Sequence, residues 1–275
     1  LSAAGVEINA DKIIPIIIDT DTSNGDTQRT TQLLVDYYEL KKQFSNYKGT
    51  FFKNNLCPLS EFQATEAKKP GVNDYVLKLP NVTGTDFKTY IKFNNIPSEE
   101  TKKFLELIYS EENLNNSLTH GFLGSPNVGS VVLESITESN EFSTFCTNFA
   151  NGDKIFIVSS IFGGTGAAGF PLLLNSFNNG VIKGAVNAIK QSMKGAITVL
   201  PYFKLNQDSG SPIDSNSFIT KSIAALSYYE NNLNDLNALY YIGDSNAQKI
   251  YDNYEGGKEQ CNLANFVEVA AAMSI

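Results

Sequence analysis

The chain is poor in the side chains that usually grip phosphates and metals: it has one arginine, Arg29, one histidine, His120, and three widely separated cysteines, Cys57, Cys146 and Cys261. Bidentate clamping of a phosphate by guanidinium groups is thereby almost excluded, and main-chain N–H groups would have to hold any such anion. The cysteines form no CxxC pair and have a single histidine to join them, so neither a zinc site nor a disulfide framework is expected, which fits a reducing cytoplasm. A serine or cysteine hydrolase is disfavoured because His120 is the only imidazole base. Basic residues do not cluster and the formal net charge is -8, which argues against a nucleic-acid surface. Proteins and small molecules are the expected partners. No apolar stretch approaches the roughly 20 residues that cross a bilayer, and the opening at Leu1 is not a basic-then-apolar leader. No membrane insertion is expected, and the absence of an initiator Met reads as a segment of a longer product.

With 275 residues, 42% of them hydrophobic, the chain can bury a sizeable core. Short apolar runs near residues 16, 155, 196 and 238 alternate with segments of helical spacing. That alternation predicts an α/β fold: a three-layer, mainly parallel sheet with helices on both faces. Pro15 confines the first strand to Ile16–Asp19, and later strands are expected at Ala196–Leu200 and Ala238–Ile242. Helices are predicted over Thr27–Phe44, over Ser98–Tyr109 with Ser98 as N-cap and Phe104, Leu105 and Ile108 on one face, and over Val128–Cys146. Further helices are predicted from the glycine turn to about Lys194, interrupted at Gly180, and over Ser215–Asn231, Ala247–Tyr254 and Cys261–Ile275. Residues 45–97 mix Gly, Pro and Asn with two alternating pieces, Tyr75–Leu79 and Tyr90–Phe93. They read as an insertion carrying a small hairpin or edge strands.

The most informative stretch is Lys154-Ile-Phe-Ile-Val-Ser-Ser-Ile-Phe-Gly-Gly-Thr-Gly-Ala-Ala-Gly-Phe-Pro171. A β-branched run meets Gly163, Gly164, Gly166 and Gly169, and an apolar helical segment follows. Such a strand–turn–helix junction gathers outward N–H groups with a helix dipole behind them, which is an anion site. Glycine there is expected to supply positive φ and to let an anion approach the main chain without meeting a Cβ. The same glycines also suit a plain tight corner, and residues 164–169 fit GxGxxG, a weak pattern alone. In parallel sheets ligands bind beyond the carboxyl ends of the strands. The pieces Asp19–Asn24, Gly124–Gly129, Gly163–Gly169, Pro201–Asp208 and Gly243–Ser245 all fall at that end and are expected to line one site.

The order of these loops resembles the nucleotide-binding domain of the tubulin and FtsZ superfamily. Phe162-Gly163-Gly164-Thr165-Gly166-Ala167-Ala168-Gly169-Phe170-Pro171 is similar to the FtsZ form GGGTGTGAAP, departing from the family at Phe162, Ala167 and Ala168. Gly124-Ser-Pro-Asn-Val-Gly129 is similar to GANPEVG, and Ile18-Asp-Thr-Asp21 to INTD. Ile197–Phe203 resembles the end of TVAVVTKPF, Tyr241-Ile-Gly-Asp244 stands in the place of IPND, and Leu263-Ala-Asn-Phe-Val resembles AANDV. These short matches, in the family's order, cover most of the chain.

The resemblance implies that residues 1–275 form a GTP-binding domain, with the insertion at 45–97, and that the family's first strand and second domain lie outside this sequence. It assigns phosphate binding to Gly163, Gly164, Thr165, Gly166 and Ala167, with Gly124, Ser125 and Asn127 near the terminal phosphate. Asp21 falls near the α-phosphate or a metal-bound water, Asp244 beside the ribose, and Asn262 and Asn265 near the base, where Phe266 replaces the family's aspartate. GTP or GDP with Mg2+ is the implied cofactor, without a dedicated protein metal cage. The implied partner is a further copy bound head to tail, whose acidic loop would complete a GTPase site, together with protein adaptors. Two readings stay open beside it. One is an NAD(P)-binding Rossmann-type oxidoreductase, although the ribose-binding acid expected roughly 20 residues past the turn is absent. The other is a nucleotide-independent assembly protein on the same fold.

Overall fold

The computed structural model describes residues 9–44, 46, 49, 51–62, 70–179, 186–207, 213–244, 249–254, 256–259, 261 and 265–275. Strand β1 (Ile17–Ile18) leads into helix α1 (Gly25–Gln43), and β2 (Val76–Leu77) is followed by α2 (Phe87–Tyr90), α3 (Glu99–Ile108), α4 (Glu111–Asn115), α5 (Pro126–Leu133) and α6 (Asn140–Asn148). Then come β3 (Lys154–Ser160), α7 (Gly164–Asn179), α8 (Val186–Gln191), β4 (Met193–Val199) and β5 (Lys204–Leu205). Helix α9 (Phe218–Asn232), β6 (Ala238–Ile242), β7 (Ile250–Tyr251) and α10 (Phe266–Met273) complete the order.

Strands β3, β4 and β6 form one parallel sheet in that order, and β1 with β2 and β5 with β7 form parallel pairs. The molecule is therefore α/β, and the helical connections follow from the need to return the chain to the same end of each parallel strand. Strand β4 is central, and Ala196, Ile197 and Thr198 are buried in succession. Successive strand residues point to opposite faces, so both faces of β4 are covered. One apolar cluster gathers Phe122, Val128, Leu133, Phe142 and Phe177. A second places Ile161, Phe162, Phe170, Leu174, Ala196, Phe218 and Tyr229 beneath the glycine turn. Each such side chain contributes roughly 1.5–3 kcal/mol on burial.

Several helix and strand boundaries differ from the sequence expectations, each for a visible reason. Val128–Cys146 is not one helix: Ser139 is extended at ψ 149°, and its Oγ accepts the Phe142 N–H, capping a fresh helix α6. Lys194 belongs to β4 because Met193 and Lys194 pair with Lys154 and Ile155 of β3. Its buried Nζ donates to the carbonyls of Lys190 and Ser192 at the end of α8. Ala247–Tyr254 is not helical over its described part, since Ile250 and Tyr251 pair in parallel with Lys204 and Leu205. The Tyr251 ring packs on Phe203 at 5.3 Å. Among the described residues, 45–97 holds no hairpin: Val76–Leu77 pairs with β1, and Tyr90 ends a helical turn capped by Asp86. The first strand is shortened to Ile17–Ile18, the two residues that find partners in Val76 and Leu77. Helix α10 begins only at Phe266, capped by the Asn265 side chain. Gly180, Asp208, Ser245 and Asn262 lie outside the described residues.

Helix α3 is capped by Ser98 as expected, but of its apolar stripe only Leu105 packs on the main cluster, while Phe104 and Ile108 are exposed. No helix among the described residues is long and apolar enough to cross a membrane.

Candidate functional site

At the end of β3 the chain enters a turn that folds back on itself. The Ile161 N–H continues the ladder to the Val199 carbonyl, Phe162 buries its ring, and α7 begins at Gly164. A Cβ on Gly166 would stand 2.5 Å from the Ser160 carbonyl oxygen and 2.7 Å from its nitrogen. A Cβ on Gly164 would stand 2.8 Å from the Phe122 Cβ and 3.2 Å from the Ser125 nitrogen. The next helix is equally close, for a Cβ on Gly129 would meet the Gly164 carbonyl at 2.9 Å. Glycine is thus required for contact between backbones. The positive φ expected here is not found: Gly163, Gly164, Gly166 and Gly169 all lie outside the left-handed region.

Left-handed backbone occurs instead in the neighbouring turn. The Ser125 N–H donates to the Phe122 carbonyl at 2.8 Å, and the two residues between, Leu123 and Gly124, have φ of 44° and 71°. Both central residues of a type I′ turn need such values. Pro126 then occupies the first position of α5, where its missing N–H costs nothing.

These two turns, the Asp19–Asn24 loop and the edge of β3 enclose a cleft of about 810 Å³. That volume falls within the roughly 300–1,000 Å³ common to small-molecule and cofactor sites. Gly163, Gly164, Thr165 and Gly166 line it together with Gly124 and Asp21. Among the described residues, no side chain accepts from the amides of Gly163 to Gly166. The first N–H groups of a helix have no partner within it, so the first turn of α7, whose residues line the cleft, has donors and the positive end of its dipole available for an anion.

Asp21 is 3% exposed and tightly held. Its Oδ1 accepts from the Ser23 N–H at 3.1 Å and the Ser23 hydroxyl at 2.7 Å, while Oδ2 accepts from the Gly257 N–H at 2.7 Å. The carboxylate thus ties the 256–257 turn to the start of α1, and the Gly25 N–H returns a bond to the Gly257 carbonyl. Asp19 lines the same wall and accepts the Asp21 N–H at 2.9 Å. Burial pushes its carboxyl up to about 6, reinforced by the Asp21 charge and partly offset by main-chain N–H groups.

The cleft also has an aromatic lining. Phe162, Tyr202, Phe203, Phe218 and Tyr251 line it, with Phe203 edge-on to Phe162 at 5.7 Å and to Tyr202 at 5.0 Å. Burial pushes the Tyr202 phenol up to about 12.

The other described residues assigned from the sequence, Ser125, Asn127, Ala167, Asp244 and Asn265, do not line the cleft. Ser125 Oγ accepts from the Asn113 amide, and Asn127 Oδ1 accepts the adjacent Val128 N–H. Ala167 is buried in the core. The Asp244 N–H donates to the Pro201 carbonyl, and Asn265 Oδ1 caps α10 through the Val267 N–H. The cleft adds Asp19, Asn24 and Tyr251 to the assigned set. Asp19 and Asn24 fall in a loop marked by its polar run after an apolar strand, whereas Tyr251 gave no local signal.

Compared with known protein families, curated proteins and solved structures, the chain matches none.

Proposed function

We propose that the chain is a tubulin/FtsZ-like GTP-binding domain of a cytoplasmic assembly protein. The observation that carries this reading is the convergence of Gly163–Gly166, Gly124 and Asp21 on one cleft, although Gly124 and Gly163 are 39 positions apart. The amides of the first turn of α7 hold the phosphates of GTP or GDP, and Thr165 adds a hydroxyl donor. Asp19 and Asp21 line the same cleft and would be candidates to hold a Mg2+ carried by such a polyphosphate, a cation that needs only one or two carboxylates beside the phosphates.

Two further features support the reading. Helices α7 and α9 gather with Ala196 in one cluster, while α10 lies along β4 and β6 with Val267 and Ala271 buried, as a three-layer sheet requires. Among the described residues β3 pairs only with β4, and its other edge faces the cleft opposite Ile14, Ile16 and Ile18 of the β1 segment.

In this mechanism the bound phosphates complete a surface on which a second copy docks head to tail, and that copy supplies the acid for hydrolysis. Repetition of such a heterologous contact yields an open filament. The base is the least specified end. Asn265 and Asp244 lie outside the cleft lining, and Phe266 is 79% exposed.

Titration with a fluorescent GTP analogue in the presence of Mg2+ tests the reading, with tripolyphosphate as competitor. Saturable binding displaced by tripolyphosphate is expected. Preferential binding of NADH would favour an oxidoreductase, and association in sedimentation that ignores GTP would favour a nucleotide-independent scaffold.

A further inference from the structure

The glycine turns bring donors to the cleft, but the charges around them are unfavourable for an anion. Asp19 and Asp21 line the same end, and the chain carries a net charge of -8. The single arginine lies in α1 and pairs with Asp26 at 3.2 Å. Lys154 lines the cleft from the start of β3, about 20 Å of strand away from Ser160 at the usual rise per residue. Beyond any Mg2+ it carries, a polyphosphate at the glycine end therefore lacks an obvious side-chain counter-charge.

Helix α9 supplies one. Phe218, in its first turn, lines the cleft and packs on Phe162 at 4.7 Å between ring centroids. Residues three apart share a helix face, so Lys221 sits on the Phe218 side of α9; it does not itself line the cleft, but Gly124, which it reaches, does. Its Nζ lies 3.1 Å from the point where a Cβ of Gly124 would stand. The side chain is partly buried, and among the described residues its ammonium has no hydrogen-bond or ion-pair partner. Partial burial pushes it below the usual lysine range, against a weaker pull from Asp214. A half-buried, unpaired ammonium is costly to keep unless something compensates it.

We propose that Lys221 is the side-chain cation of the cleft, pairing with the terminal phosphate oxygens of a bound polyphosphate beside Gly124. This rests on the anion-binding reading of the glycine turns. Gly124 has a second duty in this arrangement: having no side chain, it leaves the ammonium room to lie against the turn. Sequence inspection did not single out Lys221, because nothing in its helix marks one lysine above the others.

The test is calorimetric titration of the wild type, Lys221→Gln and Lys221→Arg with inorganic tripolyphosphate at low and high salt. Loss of one charge-assisted hydrogen bond should weaken binding by Lys221→Gln about tenfold and flatten its salt dependence. Lys221→Arg should stay within about threefold of the wild type, since charge and donors remain. If the wild type binds and Lys221→Gln binds equally well with the same salt dependence, the lysine has no such role while the anion site stands. If the wild type binds no tripolyphosphate, the anion site fails and the proposal falls with it. Acetylation of the wild type by acetic anhydride is the check that needs no variant: tripolyphosphate should protect Lys221, and equal labelling with and without it would overturn the assignment.

Discussion

The two glycine turns that face the cleft use glycine for opposite reasons. Around Gly163–Gly169 the backbone has ordinary φ, and what forbids a side chain is crowding: by other backbone at Gly164 and above all at Gly166 beside Ser160, and by the Ser160 and Leu133 side chains at Gly163 and Gly169. Around Gly124 the reverse holds: φ is 71°, and the only atom a Cβ would crowd is the movable end of Lys221. The first turn is rigid because its surroundings leave no alternative, which suits main-chain donors that must stay aimed. The second is set by local conformation and can adjust to what it meets.

This contrast is open to breakage by single substitutions. Gly166→Ala should be the most damaging, because neither the Ser160 carbonyl nor its nitrogen can retreat without distorting β3. A loss of about 3 kcal/mol or more is expected in urea unfolding, and wild-type stability would refute the close packing.

Asp19→Asn comes next and acts through pH. The carboxyl is raised from 3.8 to about 6 in the folded chain, so its contribution to stability is fully present below about pH 4 and is lost as pH rises through 6. The amide variant should match the wild type near pH 3.5 and exceed it by up to about 3 kcal/mol at pH 7. A difference that does not change with pH would contradict the burial of Asp19.

Gly124→Ala should cost only about 1 kcal/mol for the left-handed residue. It should also displace the Lys221 ammonium and weaken tripolyphosphate binding. Unchanged binding would separate the turn from the lysine.

Much of the scaffold was legible in the sequence because it is written in local patterns. The strand Ala238–Ile242 stands where its apolar run placed it, and Ser98 caps its helix. The Lys154–Pro171 stretch forms a strand, a tight turn and a helix in that order. What escaped was long-range. The Asp21 bond to Gly257 spans 236 positions, and the pairing of Ile250–Tyr251 with Lys204–Leu205 overrode a helical spacing. The reason for each glycine was equally hidden, since crowding and positive φ both appear in a sequence only as the absence of a side chain. Lys221 belongs to the same class, because its meaning comes from Gly124, a contact no periodicity encodes.

The central claim is that the amides of Gly163, Gly164, Thr165 and Gly166 hold phosphate. Selective 15N labelling of glycine and threonine, followed by two-dimensional NMR during GTP addition, reads those amides directly. The account predicts that these four resonances shift together with Gly124 at saturating GTP, while Gly84 and Gly152, in turns that do not line the cleft, stay in place. Shifts confined to other residues, or none at millimolar GTP, would contradict it.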